Sequence, residues 1–115
     1  MERGAEKTMR MWGINPKILC RQHLLGLHKE LHMCVGWLNS KRPEFLQHWT
    51  KRKFADTRRI KADHEAVVLE MLARGYNHKS PLPEFKDPEW GELDLEFNKV
   101  DLFNRCEQCR IRSVV

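Results

Sequence analysis

The sequence predicts an all-α fold in one domain, and three observations carry that reading. Apolar residues recur at helical spacing in three long stretches: Cys20–Leu38, Ile60–Leu72 and Leu93–Phe103. No stretch of useful length alternates apolar and polar residues as a half-buried strand does. Asn15-Pro16, Arg42-Pro43 and three further prolines, Pro81, Pro83 and Pro88, fall where those stretches begin or end. The architecture expected is three main helices plus a short one, with no internal repeat.

Met1–Thr8 is polar and without period, and reads as a mobile arm. Met9–Ile14 is short and mixed, with Trp12 as its anchor. Asn15-Pro16 starts the first helix, since proline suits the first helical position. That helix runs from about Lys17 to Leu38 and organises the chain. Cys20, Leu24, Leu27, Leu31, Cys34, Val35 and Leu38 share one apolar side, while Gln22, His23, Gly26, Glu30, Met33 and Trp37 share a second. Gly26 costs roughly 1 kcal/mol relative to alanine in mid-helix, so close approach of another backbone or of a ligand is a reason for it.

The residue before Pro43 avoids helical dihedrals, which ends the helix. Phe45, Leu46 and Trp49 give Pro43–Lys53 a short helical spacing. Ile60, His64, Val67, Val68, Met71 and Leu72 form the stripe of a helix over Thr57–Arg74, with Gly75 as its left-handed stop. This stripe is expected to face the apolar side of the first helix. Asn77–Glu89 is an extended connection. Leu93, Phe97, Val100 and Phe103 predict a last helix over Glu89–Asn104. The helical domain thus spans 9–105, and 106–115 is a basic tail holding Cys106 and Cys109.

The net charge of +5 favours a polyanionic partner. Basic groups interleave with aromatics at Trp49–Phe54, and cluster at Arg58, Arg59 and Lys61 and again over Arg105–Arg112. Nucleic acid suits this spread better than a membrane surface, which takes a juxtamembrane block of charge. No apolar run approaches the 18 or so residues of a membrane span, and no charged start with an apolar segment behind it marks export. The expected setting is cytoplasmic or nucleoid-associated, and the expected state a monomer. Four cysteines there are reduced thiols or metal ligands. Cys106-x-x-Cys109 is half of a zinc site, and Cys20 with His23, three residues apart on the first helix, can complete it. His28 and His32, four apart, have no acidic or cysteine partner nearby in sequence and read as solvated.

Two motifs carry a resemblance. His23-Leu24, Lys29-Glu30-Leu31 and Val35-Gly36 resemble the first helix of the pyrimidine-dimer DNA glycosylase/AP lyase family, the phage endonuclease V type. Glu70-Met71-Leu72-Ala73-Arg74-Gly75-Tyr76-Asn77 resembles the end of that family's middle helix. The likeness covers about 10–38 and 60–79, and the last third matches poorly.

The resemblance implies a DNA repair enzyme acting on damaged or abasic duplex DNA, with an amine as nucleophile and no cofactor required. It implies Glu30 as the catalytic carboxylate, His23 beside the abasic sugar, and Met9 as the reactive residue wherever its amine is terminal. It implies DNA contacts for Arg10, Gln22 and Lys29, to which the basic pattern adds Arg58, Arg59 and Lys61. Lys29 stands where the family has an arginine, and Met33 where it has a second one. Eight residues precede Met9, so the amine arises from a start at Met9, from an arm folded back into the site, or from Lys7 or Lys29. A non-catalytic DNA-binding module of the same fold and a zinc-stapled interaction protein are the alternative readings.

Overall fold

Helix α1, Arg21–Leu38, is the spine of the computed structural model, which describes residues 9–78 and 80–114. The arm expected at 1–8 and its Lys7 lie outside the described residues. Leu24, Leu27, Leu31, Cys34 and Val35 of α1 are buried, the side that helical spacing picks out. They face Ile60, Val67 and Met71 of α3, Ile60–Ala73, in the most extensive helix pairing of the fold. Among the described residues there is no strand, only an isolated bridge between Asp56 and Gly91.

α1 begins later than its expected start near Lys17. Pro16–Ile18 form a separate 3₁₀ turn, capped by the Asn15 side chain on the Lys17 N–H at 3.0 Å. The chain is extended at Leu19 and Cys20, and the Cys20 N–H donates to Cys109 Sγ at 3.2 Å instead of joining a helix. After α1, Pro43–Leu46 make a second 3₁₀ turn that runs into the one-turn α2, Gln47–Thr50.

α3 follows a 3₁₀ turn at Thr57–Arg59 that Asp56 caps, and ends as expected at Gly75, whose φ is +84°. The Tyr76 N–H reaches the Met71 carbonyl at 2.9 Å and the Gly75 N–H reaches Leu72 at 3.0 Å, the paired bonds of a Schellman stop. The buried line is narrower than the expected stripe, because Leu72 is 54% exposed and Val68 only half-buried. Arg74 gives the Glu70-to-Asn77 motif a mechanical meaning. Its Nε bonds Glu70 at 2.7 Å, and its Nη2 reaches the carbonyls of Pro16, Lys17 and Leu19 at 3.2, 3.3 and 2.8 Å. The end of α3 is thereby tied to the segment that launches α1.

The connection after α3 returns past the start of that helix. The Thr57 N–H donates to Trp90 O at 3.0 Å, and Gly91, at φ +84°, lies so close to Ala55 O that a Cβ there would collide with it. α4, Leu95–Arg105, starts at an Asp94 cap and is shorter than the expected Glu89–Asn104. Its inward face is also different. Phe97 and Val100 are more than half exposed, while Asn98 and Leu102 are buried. The polar face turns in because the buried Arg10 needs Asn98 and Asp101. Within the expected tail, Glu107–Arg112 form α5, whose buried Cys109 accepts the Cys20 N–H just before α1.

Candidate functional site

Glu30 sits on the flank of α1 away from α3, and its carboxylate receives the main-chain N–H of Arg10 at 3.1 Å. Met9, the residue before, is buried with its sulfur 3.9 Å from Cys34 Sγ. The main chain at Met9–Arg10 is thus held within one peptide of the Glu30 carboxylate. Burial lifts the Glu30 pKa to about 7, against the lowering pull of the Arg10 N–H, the Arg10 charge and Lys29. At that value the group exchanges a proton in either direction near neutral pH. Burial, with the Glu30 charge second, pushes the Cys34 thiol up to about 12, so this neighbour is no thiolate nucleophile.

Gln22, Lys29 and Met33 are exposed on the same helix, and a Cβ on Gly26 would meet nothing within 4 Å. Among the described residues, therefore, no other backbone accounts for that glycine. The Arg10 side chain is 6% exposed, and its guanidinium pairs with Asp101 at 2.7 Å and Asn98 Oδ1 at 2.8 Å and lies over Trp12 at 4.2 Å and Phe54 at 4.8 Å. The charge expected to meet a phosphate is thus already paired inside the fold. Arg58 is exposed, pairing with Asp56 at 3.1 Å and donating to the Gly91 carbonyl at 2.7 Å, and the partly exposed Arg59 pairs with Asp63 at 3.3 Å. Lys61 is exposed on α3.

The four residues expected to form a metal set converge. Cys20 and His23 come from the start of α1, Cys106 from the junction of α4 and α5, and Cys109 from α5. All four donor atoms lie within 4.8 Å of one another. Cys20 Sγ is 3.7 Å from Cys106 Sγ and 3.2 Å from His23 Nδ1, and Cys109 Sγ is 3.6 Å from His23 Nδ1. His23 Nδ1 therefore faces the sulfurs, while Glu30 faces Arg10.

His28 and His32 are not solvated singly, which corrects the expectation for them. They meet His64 of α3 and His78 of the following connection. His64 is buried, and burial first, then His28, His32 and His78, pushes its pKa down to about 4, so the ring is neutral at physiological pH. Sequence reading does not join these four, although His64 in an otherwise apolar stripe facing α1 is a usable signal. Asn98 and Asp101, the partners of Arg10, carry no such signal.

These elements define a small basic helical domain with a half-buried carboxylate on its first helix. The chain belongs to the pyrimidine dimer DNA glycosylase family, whose model matches residues 9–84. No curated protein and no solved structure matches it. Family membership implies DNA as the substrate class and a role in DNA repair. The matched span starts at Met9 and contains Glu30 and the four histidines, whereas Asn98, Asp101, Cys106 and Cys109 lie beyond it. Among the described residues no helix is long and apolar enough to cross a membrane.

Proposed function

We propose that this protein is a DNA glycosylase/AP lyase that acts on damaged or abasic duplex DNA through an enzyme–sugar imine, with Glu30 as its catalytic carboxylate. The observation that carries the reading is the bond from the Arg10 N–H to Glu30 at 3.1 Å. It joins the catalytic carboxylate implied by the family resemblance to the chain position where that resemblance puts the amine. Where Met9 is the terminal residue, its neutral amine attacks C1′ of the damaged nucleotide, and the glycosidic bond breaks with its electron pair leaving on the base; in the full chain a folded-back arm or a lysine supplies the amine instead. Opening of the sugar ring gives the imine. Loss of a 2′ proton to a base then expels the 3′ phosphate, breaking the C3′–O bond, and water releases the sugar remnant. Glu30 stabilises the cationic sugar and accepts the 2′ proton, a role that its pKa of about 7 suits.

Gln22 and Lys29 line the DNA-facing side in this reading, with Lys61 as a further phosphate contact. No step needs a metal. We assign zinc to Cys20, His23, Cys106 and Cys109 as a structural ion. A tetrahedral zinc with three thiolates and one imidazole sets its sulfurs roughly 3.8 Å apart and sulfur to nitrogen roughly 3.6 Å. The observed separations of 3.7, 3.6 and 3.2 Å approach that frame. His23 then serves as a ligand that steadies α1 rather than as a group on the sugar. Borohydride trapping on an abasic duplex tests the lyase reading, run on the full chain and on a chain starting at Met9. A covalent protein–DNA product in either supports it, and its absence from both leaves a non-catalytic DNA-binding module.

A further inference from the structure

We infer that His28, His32, His64 and His78 form a second metal centre, a closed four-imidazole site for a zinc-class divalent transition ion. It is independent of the lyase reading and of the cysteine site. The four rings come from three separate parts of the chain: two from α1, one from α3 and one from the connection beyond it. One nitrogen from each lies within 4.8 Å of those of the other three. His28 Nε2 is 2.9 Å from His78 Nε2, and His32 Nε2 is 3.2 Å from His64 Nε2. A tetrahedral ion with bonds of about 2.0–2.1 Å spaces its nitrogens roughly 3.3 Å apart. The ring centroids fit the same frame, with His28 to His32, His64 and His78 at 4.7, 5.1 and 4.9 Å, and His64 to His32 and His78 at 5.0 and 5.4 Å.

Two imidazole hydrogen bonds, His28 to His78 and His32 to His64, would account for the two short distances. They give no reason for the two pairs to face each other across one point. Among the described residues no carboxylate bonds any of the four rings, so the cluster has no internal counter-charge. Neutral nitrogen donors select a borderline transition ion over magnesium or calcium, which take oxygen. Four protein ligands leave no open position, which makes the ion a staple and not a Lewis acid. The staple joins α1, α3 and the chain leaving α3. It also lies about half a turn around α1 from Glu30, since residues 28 and 32 flank residue 30 at 100° per residue.

Cobalt substitution distinguishes this site from the cysteine site in the unmodified full chain, purified without a histidine tag. Thiolate–cobalt bonds add near-ultraviolet charge-transfer absorption, whereas an all-imidazole site adds visible bands alone. The expected titration saturates at about two cobalt ions per chain, with the charge-transfer signal complete at about one. His78→Asn removes one ligand from the connection and leaves both helices intact. It should lower the total to about one and leave the charge-transfer signal unchanged. Zinc content by elemental analysis should fall in parallel, from about two to about one. Saturation of the unmodified chain at one cobalt, all of it thiolate-bound, would overturn the proposal and leave two hydrogen-bonded histidine pairs.

Discussion

The Arg10 main-chain N–H lies 3.1 Å from Glu30 Oε2, a link across twenty residues that fixes the early chain to the middle of α1. It has a consequence for stability. Glu30 ionises near its ordinary 4.5 in the unfolded chain and at about 7 in the folded one. Between those values the folded state holds a proton that the unfolded state has lost. Stability therefore falls as pH rises through that window and stays lower above it. Glu30→Gln abolishes this contribution while leaving an acceptor for the Arg10 N–H. At pH 8 the variant is expected to exceed the parent by about 1–3 kcal/mol, the full shift discounted for the residual solvent access of the group. Urea titrations at pH 5 and pH 8 check it. An equal effect of the substitution at both pH values would contradict the raised pKa.

Arg10 is a structural cation. Removing it leaves Asn98 with the Trp12 carbonyl alone and Asp101 with the exposed Arg105 at 3.2 Å as its remaining partner. Arg10→Ala should lower stability by about 2–3 kcal/mol, below the range for an uncompensated buried charge because Asp101 keeps Arg105. Lysine should restore little, because it cannot reach both partners as a fork or lie flat over Trp12. A stable Arg10→Ala protein with weakened DNA binding would return Arg10 to the role of phosphate contact.

The zinc assignment predicts that Cys109→Ser loses one zinc per chain and melts more than about 10 °C lower, since metal binding and folding are coupled. Zinc content measured alongside a thermal scan checks both. An unchanged melting temperature at reduced zinc content would mean that the cysteine cluster does not hold the tail.

DNA binding should fall steeply with salt and show little sequence preference. Lys29 is exposed beside Glu30. Lys29→Ala should reduce the log–log salt slope by about 0.9, one duplex phosphate contact. Anisotropy titrations at several salt concentrations measure it, and an unchanged slope would remove Lys29 from the interface.

The side of α1 that carries Leu24, Leu27, Leu31 and Val35 was legible because helical spacing exposes a buried face directly, and Gly75 was legible because only a left-handed stop suits it there. The inward face of α4 was not. Its apolar residues point to one side, but the buried Arg10 calls Asn98 and Asp101 inward, and a demand from eighty-eight residues away leaves no local pattern. The cysteine set was legible because both halves have ligand spacing of their own. The histidine set was half legible, for His28 and His32 are a helical pair while His64 and His78 join them through the packing of α1 on α3. The basic cluster at Arg58 and Arg59 was legible as charge, but the pairs that Asp56, Gly91 and Asp63 make with it depend on the local turn and on a distant loop.

In the proposed reaction Glu30 moves the proton of the elimination step. The most direct test of that role compares imine trapping with strand cleavage for Glu30→Gln on an abasic duplex, in whichever of the full chain and the Met9-start chain traps the parent. Glutamine keeps the size of the side chain and removes its basicity. The variant should still form a trappable imine, in reduced yield, while strand cleavage slows by about 10²–10⁴-fold, the usual range for lost acid–base assistance. Cleavage at the parental rate would contradict the account and leave Glu30 as a buried anchor for the Arg10 main chain.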